Sequence, residues 1–516
     1  MDNIQILWVD DEIDLLKPHI LFLEEKGYQV DTATNGADAL EMVDEKRYQL
    51  VFLDENMPGM DGLETLQQIK EQYQTLPVVM ITKSEEESIM EDAIGSQISD
   101  YLIKPVNPNQ ILLTLKKHLQ SKQLVSQKTT SNYQQEFRQI GMELSQVNDF
   151  ESWSELYKKL IYWEMELDKL EDEGLNDILH SQKQEANSQW SRFVERNYLD
   201  WFEDEEAPVM SHTLINKWLK PHLQQQQPCF LIVIDNLRYD QWRVIQPVIE
   251  DYFNVEQERS YLSILPTATQ YARNALFAGL MPLDIKKRFP DKWVEEIEDE
   301  GKNNFEEDFL ADQLQRLGLG NLKMGYRKVT NYQFGKKLVE QFSNLLNNDF
   351  NTVVYNFVDM LSHAKTDMKV IRELADNDKA YRSLTLSWFK NSPLLDMLRL
   401  LAEKKIPVFI TTDHGTINVE EPVKVVGDKS LNTNLRYKTG RNMSYKAKEV
   451  MEVKEPADIR LPQTNINSAF VFARESQFFA YPNNYNHYVK YYRNTYQHGG
   501  ISLEEMIIPF AFLTPK

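Results

Sequence analysis

Phe409-Ile410-Thr411-Thr412-Asp413-His414-Gly415 is an apolar strand that runs directly into an Asp-His pair and then a glycine. In an open parallel sheet, ligands gather at the carboxyl ends of the strands. A carboxylate beside a neutral imidazole suits a divalent metal. Neighbouring residues reach one ion only where the strand stops and the backbone turns, which Gly415 permits. Asp-His-Gly also makes an ordinary turn, so the stretch draws its weight from what flanks it.

Working outward, Pro228 to Asp235 is a second apolar strand that ends on a carboxylate, and Thr352 to Asp359 is a third. Asp359 and His363 stand at i and i+4, on one side of a helical turn. Gln497-His498-Gly499-Gly500 adds a histidine on a flexible loop. Two metal sites follow: Asp235, Asp413 and His414 for one, Asp359, His363 and His498 for the other. Such a pair can clamp the attacking and leaving oxygens of a phosphoryl transfer. Leu265-Pro266-Thr267-Ala268-Thr269 offers two candidate hydroxyl nucleophiles ahead of a helix. A threonine needs a metal or base to lower its pKa. Helix capping is the plainer use for either one.

The totals narrow the classes. A chain of 516 residues implies about three domains. With 42% apolar and 26% charged residues it is globular. A single cysteine, Cys229, excludes an internal disulfide framework and a Cys-rich zinc module. No apolar run reaches the ~20 residues that span a bilayer. Met1 to Ile4 leads into a strand without a basic-then-apolar leader, so a cytoplasmic location is expected. A formal charge of −22 argues against direct binding of duplex DNA.

In residues 1–120 five apolar runs (Ile4 to Val9, Val30 to Ala33, Leu50 to Leu53, Val78 to Ile81, Tyr101 to Ile103) alternate with amphipathic stretches. This is the pattern of an α/β unit. Asp10, Asp11 and Asp54 at strand ends would repel one another without a cation, and their oxygens favour Mg²⁺. The strings Val9-Asp10-Asp11-Glu12, Leu53-Asp54-Glu55-Asn56-Met57-Pro58-Gly59, Ile81-Thr82 and Lys104-Pro105 resemble the receiver domain of bacterial response regulators, a flavodoxin-like fold. The resemblance implies that Asp54 accepts the phosphoryl group. Asp11 and Asp54 would hold Mg²⁺ with the Asn56 carbonyl, Asp10 lying alongside. Thr82 and Tyr101 would form the switch pair, and Lys104 would hold the phosphoryl oxygen.

Residues 121–210 carry only two glycines, Gly141 and Gly174, and no proline before Pro208. Trp153, Leu156, Tyr157, Leu160, Trp163, Leu167 and Leu170 recur at helical spacing. A central helical bundle or linker is expected, with a second helix from Asn176 to about Trp201 after a break near Gly174.

Residues 211–516 resemble the PglZ branch of the alkaline phosphatase superfamily, a larger α/β domain. The resemblance is carried by Asp235-Asn236-Leu237-Arg238-Tyr239-Asp240, the threonine motif, Asp359 with His363, Thr412-Asp413-His414-Gly415 and His498-Gly499-Gly500. It implies two Zn²⁺ ions and a covalent phospho-enzyme. Thr269 would be nucleophile and zinc ligand, matching a Pro-Thr-x-Thr pattern, ahead of Thr267. Asn236 stands where that family commonly has glycine. Between Lys424 and Lys448 seven basic residues, among them Lys429, face one acid, Asp428. Arg436, Lys438 and Arg441, with Asn274, are the candidate substrate-binding residues, although a solvated loop would look the same.

Across its whole length the chain resembles the PorX-type two-component response regulators associated with type IX secretion. That implies a sensor histidine kinase, a phosphorylation-linked homodimer, contacts with a secretion-motor protein and a sigma factor, and zinc-dependent hydrolysis of short linear or cyclic oligonucleotides. The competing expectation is a metal-stabilised interaction module that signals by binding. A phosphomutase acting on sugars is a third.

Overall fold

The computed structural model describes residues 4–83, 98–170, 173–295, 301–427, 431–463, 465, 467–482 and 484–516, the side chains of 120–128, 131 and 173 excepted. The chain forms two compact units, Met1–Gln134 and Gln135–Lys516. No helix among the described residues is long and apolar enough to cross a membrane.

The first unit is built on β1 (Ile4–Val9), β2 (Tyr28–Ala33), β3 (Leu50–Asp54), β4 (Val78–Thr82) and β5 (Asp100–Ile103). They lie in the order β2-β1-β3-β4-β5, all parallel. This is the flavodoxin-like doubly wound order. Strand alternation divides β1 between two cores: Leu7 and Val9 pack with Val51 and Leu53, Ile6 and Trp8 with Leu50 and Phe52. The strand order reverses between β1 and β3, so Asp10 and Asp54 emerge together at that crevice.

The second unit centres on β6 (Cys229–Ile234), β7 (Phe253–Leu262), β8 (Met324–Val329), β9 (Phe350–Tyr355) and β10 (Val408–Thr411). After β10 come three small sheets: β11 (Ile417–Val419) with β17 (Thr495–Gln497), β12 (Glu421–Lys424) with β16 (Gln477–Ala480), and β13 (Tyr437–Gly440), β14 (Val450–Val453) and β15 (Ala469–Ala473). The last strand, β18 (Ile507–Pro515), returns to the main sheet, whose order is β7-β18-β10-β6-β9-β8. Strands β10, β6, β9 and β8 are parallel, with β18 and β7 added antiparallel. Three adjacent parallel strands, β10, β6 and β9, therefore end on the same edge.

Two elements depart from the sequence reading. Strand β9 stops at Tyr355, where its pairing with Val329 and Ile234 ends. Asp359 consequently lies in the first turn of a helix, Phe357–Asp367, rather than on the strand. The long linker helix runs from Glu173 to Asn197, so its break precedes Gly174, and Asp200–Phe202 forms a separate short turn.

Helices Phe150–Leu167 and Glu173–Asn197 pack through buried Trp153 and Trp190, rings 5.5 Å apart. They are tied to the main sheet's domain by buried charge. Arg382 reaches Glu164 at 2.8 Å, Asp168 at 2.5 Å and Asp240 at 2.8 Å. Lys183 pairs with Glu164 at 2.7 Å between the two helices and lies 3.6 Å from Glu504 of the domain, to which Asn187 donates at 3.0 Å.

Candidate active site and its metal clusters

In the first unit Asp10 and Asp54 are buried and Asp11 is exposed, and one oxygen of each lies within 4.8 Å of the others. Lys104 Nζ bridges Asp10 at 2.8 Å and Asp54 at 2.9 Å. Burial, with Asp10 and Asp11 nearby, lifts the Asp54 carboxyl above its ordinary range, and Lys104 opposes this. Thr82 donates to Glu55, Tyr101 is exposed, and Asn56 is on the exposed loop two residues past Asp54.

In the second unit the sheet edge gathers two clusters. Asp235 follows β6, and Asp413 and His414 follow β10; all three are buried, with donor atoms within 4.8 Å of one another. His414 Nε2 lies 3.7 Å from Asp413 Oδ2 and 4.0 Å from Asp235 Oδ1. Its Nδ1 lies 3.0 Å from the Gly415 carbonyl, which fixes that nitrogen as the donor and leaves Nε2 free to ligate. Gly415 is required for space rather than for a left-handed turn: a Cβ there would meet the Glu504 carbonyl oxygen at 2.0 Å.

The second cluster is more open. His363 Nε2 lies 3.6 Å from Asp359 Oδ2, and His498 Nε2 lies 3.8 Å from Asp359 Oδ1. The His363 side chain is 66% exposed, against 0% for His414. His498 Nδ1 is 3.1 Å from the Thr267 carbonyl, so its Nε2 also faces the acids. The rings of His414 and His498 stack at 4.3 Å and join the clusters.

Charge within the buried cluster is unbalanced. Burial pushes the Asp235 and Asp413 carboxyls above their ordinary range while Arg273 pulls both back. Burial lowers His414, and burial with His414 beside it takes His498 down to about 4. Both imidazoles are therefore neutral at pH 7, the form able to ligate a cation. Among the described residues no group donates a hydrogen bond to the buried Asp413 Oδ2, and Arg273 stands 3.8 Å from it. An orphaned carboxylate oxygen and two mixed oxygen and nitrogen donor sets fit a divalent cation at each cluster.

The two threonines separate by geometry. Thr267 Oγ1 donates to the Gly500 carbonyl at 2.9 Å and accepts from Gly499 N at 3.0 Å, which occupies it with the loop that carries His498. Thr269 Oγ1 lies 3.1 Å from His414 Nε2 and 3.5 Å from Asp235 Oδ1.

The predicted substrate-binding residues need correction. Arg436 is fully buried and holds Glu505 through two contacts, 3.1 Å and 2.6 Å. Glu505 in turn accepts from Gly500 N at 2.9 Å, so Arg436 braces the His498 loop instead of meeting solvent. Lys438 is also buried; it donates to the Asn432 carbonyl at 2.7 Å and lies over the Tyr481 ring. Asn274 is buried and bonded to Lys302 and Asn303. Arg441 alone of the four is exposed. Asp428 and Lys429 lie outside the described residues.

Arg273 escaped the sequence reading. Its guanidinium donates to Asp235 at 2.5 Å and to Glu306 at 2.6 Å. The available signal was its place four residues after Thr269 on helix Thr269–Ala278, which turns both toward one face. Glu306 carried no local signal.

Comparison with known proteins accounts for the three parts of the chain. Residues 6–116 match the response regulator receiver domain, residues 123–202 the PorX response regulator linker domain, and residues 214–512 the BREX system PglZ alkaline phosphatase-like domain. The chain belongs to the PorX-type response regulators with a PglZ output domain. Curated relatives match about a quarter of the chain. The transcriptional regulatory protein ResD of Bacillus subtilis (strain 168) is 37% identical over 112 residues, 22% of this chain and 46% of that protein. ZraR of Klebsiella oxytoca is 36% identical over 140 residues, 27% of this chain and 32% of that protein. The chain thus spans less than half the length of either. Among solved structures, Vibrio cholerae CheY4 is 30% identical and covers 23% of this chain and 99% of its own, with a TM-score of 0.22. A receiver domain implies a phosphodonor such as a histidine kinase, and the receiver and alkaline phosphatase-like domains are both of kinds that typically bind metals.

Proposed function

We propose that this response regulator is phosphorylated on Asp54, and that its output domain is a zinc-dependent phosphodiesterase acting on short linear or cyclic oligonucleotides in the control of type IX secretion. The observation that carries the reading is the position of Thr269, whose hydroxyl is within 3.5 Å of ligands of the buried cluster, with the open cluster alongside. Thr269 is the first residue of a helix, where free N–H groups favour an anion. Asp235 and His414 orient its oxygen. The Thr269 hydroxyl loses its proton to solvent and attacks phosphorus, the bond to one alcohol oxygen breaks and that oxygen takes a proton from water, and a second water later cleaves the Thr269 nucleotidyl diester, releasing the nucleotide and restoring the hydroxyl. Zn²⁺ at the two clusters, once bound, lowers the pKa of the attacking hydroxyl and offsets charge on the phosphoryl oxygens. Asp10, Asp11, Asp54 and the Asn56 carbonyl would hold Mg²⁺ in the receiver. A sensor histidine kinase, a homodimer formed on phosphorylation, a secretion-motor protein and a sigma factor complete the proposed setting.

The test is hydrolysis of bis-p-nitrophenyl phosphate against p-nitrophenyl phosphate, with metal content measured on the same sample. Thr269→Ala is expected to lower kcat about 10³-fold or more while the metal stays bound. Equal turnover by Thr269→Ala would remove Thr269 as nucleophile. The burial of Arg436 and Lys438 takes away the predicted phosphate grip and favours, as a second reading, a metal-stabilised module that signals by binding. That reading is expected to give bound zinc without turnover of diesters or oligonucleotides.

A further inference from the structure

Asn236 is hydrogen-bonded to a carboxylate of each cluster. Its backbone N–H donates to Asp413 Oδ1 at 3.2 Å, and its Nδ2 donates to Asp359 Oδ1 at 3.3 Å and to Ser362 Oγ at 3.1 Å. The residue is fully buried, and its φ of 63° lies in the left-handed region that asparagine and glycine tolerate best. A glycine here would keep the backbone bond to Asp413 and offer nothing to Asp359. The side chain is therefore what distinguishes asparagine from glycine at this position.

Asp359 has need of such a partner. It belongs to helix Phe357–Asp367, a different element from those carrying Asp235 and Asp413. His363 and His498 stand 3.6 Å and 3.8 Å from it, beyond hydrogen-bond length. Among the described residues, Asn236 supplies the hydrogen bond this carboxylate receives. Ser362 fixes the amide from the other side, because its Oγ donates to the Asp359 carbonyl at 2.7 Å while accepting from Nδ2. The amide thus holds one carboxylate oxygen and leaves Asp359 Oδ2 toward His363. Two-ion phosphoryl transfer needs its ions about 3.5–4 Å apart, a spacing that a freely rotating Asp359 would not keep.

We infer that Asn236 is a positioning residue that registers Asp359 against the buried cluster and thereby sets the affinity of the open cluster for its ion. The inference rests on the proposal that both clusters bind divalent ions.

The experiment is a Zn²⁺ titration of the full-length metal-free chain in competition with a chromophoric chelator, with Asp54→Ala as the background so that the receiver cluster adds no step of its own. The weaker step is assigned by its loss in His363→Ala. Asn236→Gly, which retains the left-handed backbone, is expected to leave the tighter step in place and weaken the other about 10- to 100-fold. Ser362→Ala, which removes only the brace on the amide, is expected to weaken the same step by less, and it serves if Asn236→Gly does not fold. Equal weakening of both steps, no change in either, or fewer than two ions on the Asp54→Ala chain overturns the inference. Diester cleavage by the wild-type sample is measured separately, so failure of the reaction and failure of the inference are read in different assays.

Discussion

The buried and open clusters of the PglZ domain present similar side chains in opposite settings. Asp235, Asp413 and His414 are sealed at the ends of β6 and β10, with Arg273 and Glu306 behind them. Asp359, His363 and His498 come from a helix and a loop, and His363 faces solvent. Sheet pairing fixes the first set, because parallel neighbours must end together. The second set depends on side-chain hydrogen bonds to Asn236 and to the Thr267 carbonyl. A prebuilt site beside an adjustable one suits a reaction in which one cluster holds the nucleophile and the other meets substrate and water.

Breaking the comparison starts with the ligands. Asp413→Asn is expected to remove the tighter ion and lower kcat by about 10²-fold or more, whereas His363→Ala should weaken only the looser one. Metal content per chain and kcat, measured together, check this; equal behaviour of the two variants would erase the distinction between the clusters.

A smaller effect should come from the charge behind the buried cluster. Arg273→Met leaves Asp235 and Glu306 without their shared partner, and loss of one member of a buried pair costs about 3–5 kcal/mol. Because a cation at the cluster restores part of that balance, the destabilisation is expected to be larger without zinc than with it. Urea unfolding of the variant in both states measures the difference.

The smallest effect is a pH slope. Burial raises the Glu306 carboxyl, but Arg273 and Lys328 outweigh it and hold the group below its ordinary value of 4.5. A lowered folded pKa gives stability that is present above the unfolded pKa and lost as pH falls through the folded one. Unfolding free energy is therefore expected to drop below about pH 4.5, with a shallower drop in Glu306→Gln. An identical slope in the variant would assign the acid limb to other groups.

Much of the architecture was legible in the chain. Apolar runs ending in Asp10, Asp54, Asp235 and Asp413 mark strand ends, since side chains that must reach solvent or a ligand appear where pairing stops. Asp359 and His363 were legible as a pair through their helical spacing, although the strand before them ends earlier than their acidic pattern suggests. The basic run from Lys424 to Lys448 misled, because charge density along a chain does not report burial. Arg436 finds Glu505, sixty-nine positions away, and turns inward.

By itself, then, the sequence determined the identities of the acids and imidazoles at the sheet edges, because strand and helix periodicities are local, whereas the three domains expected at 1–120, 121–210 and 211–516 fold as two compact units divided after Gln134. Only the tertiary structure decided that β10, β6 and β9 lie side by side, that Thr267 is occupied with the His498 loop while Thr269 faces the ligands, and that Arg273, Arg436 and Asn236 act inside the protein. Those outcomes depend on partners distant in sequence, and no local pattern carries the desolvation and pairing energies that select them.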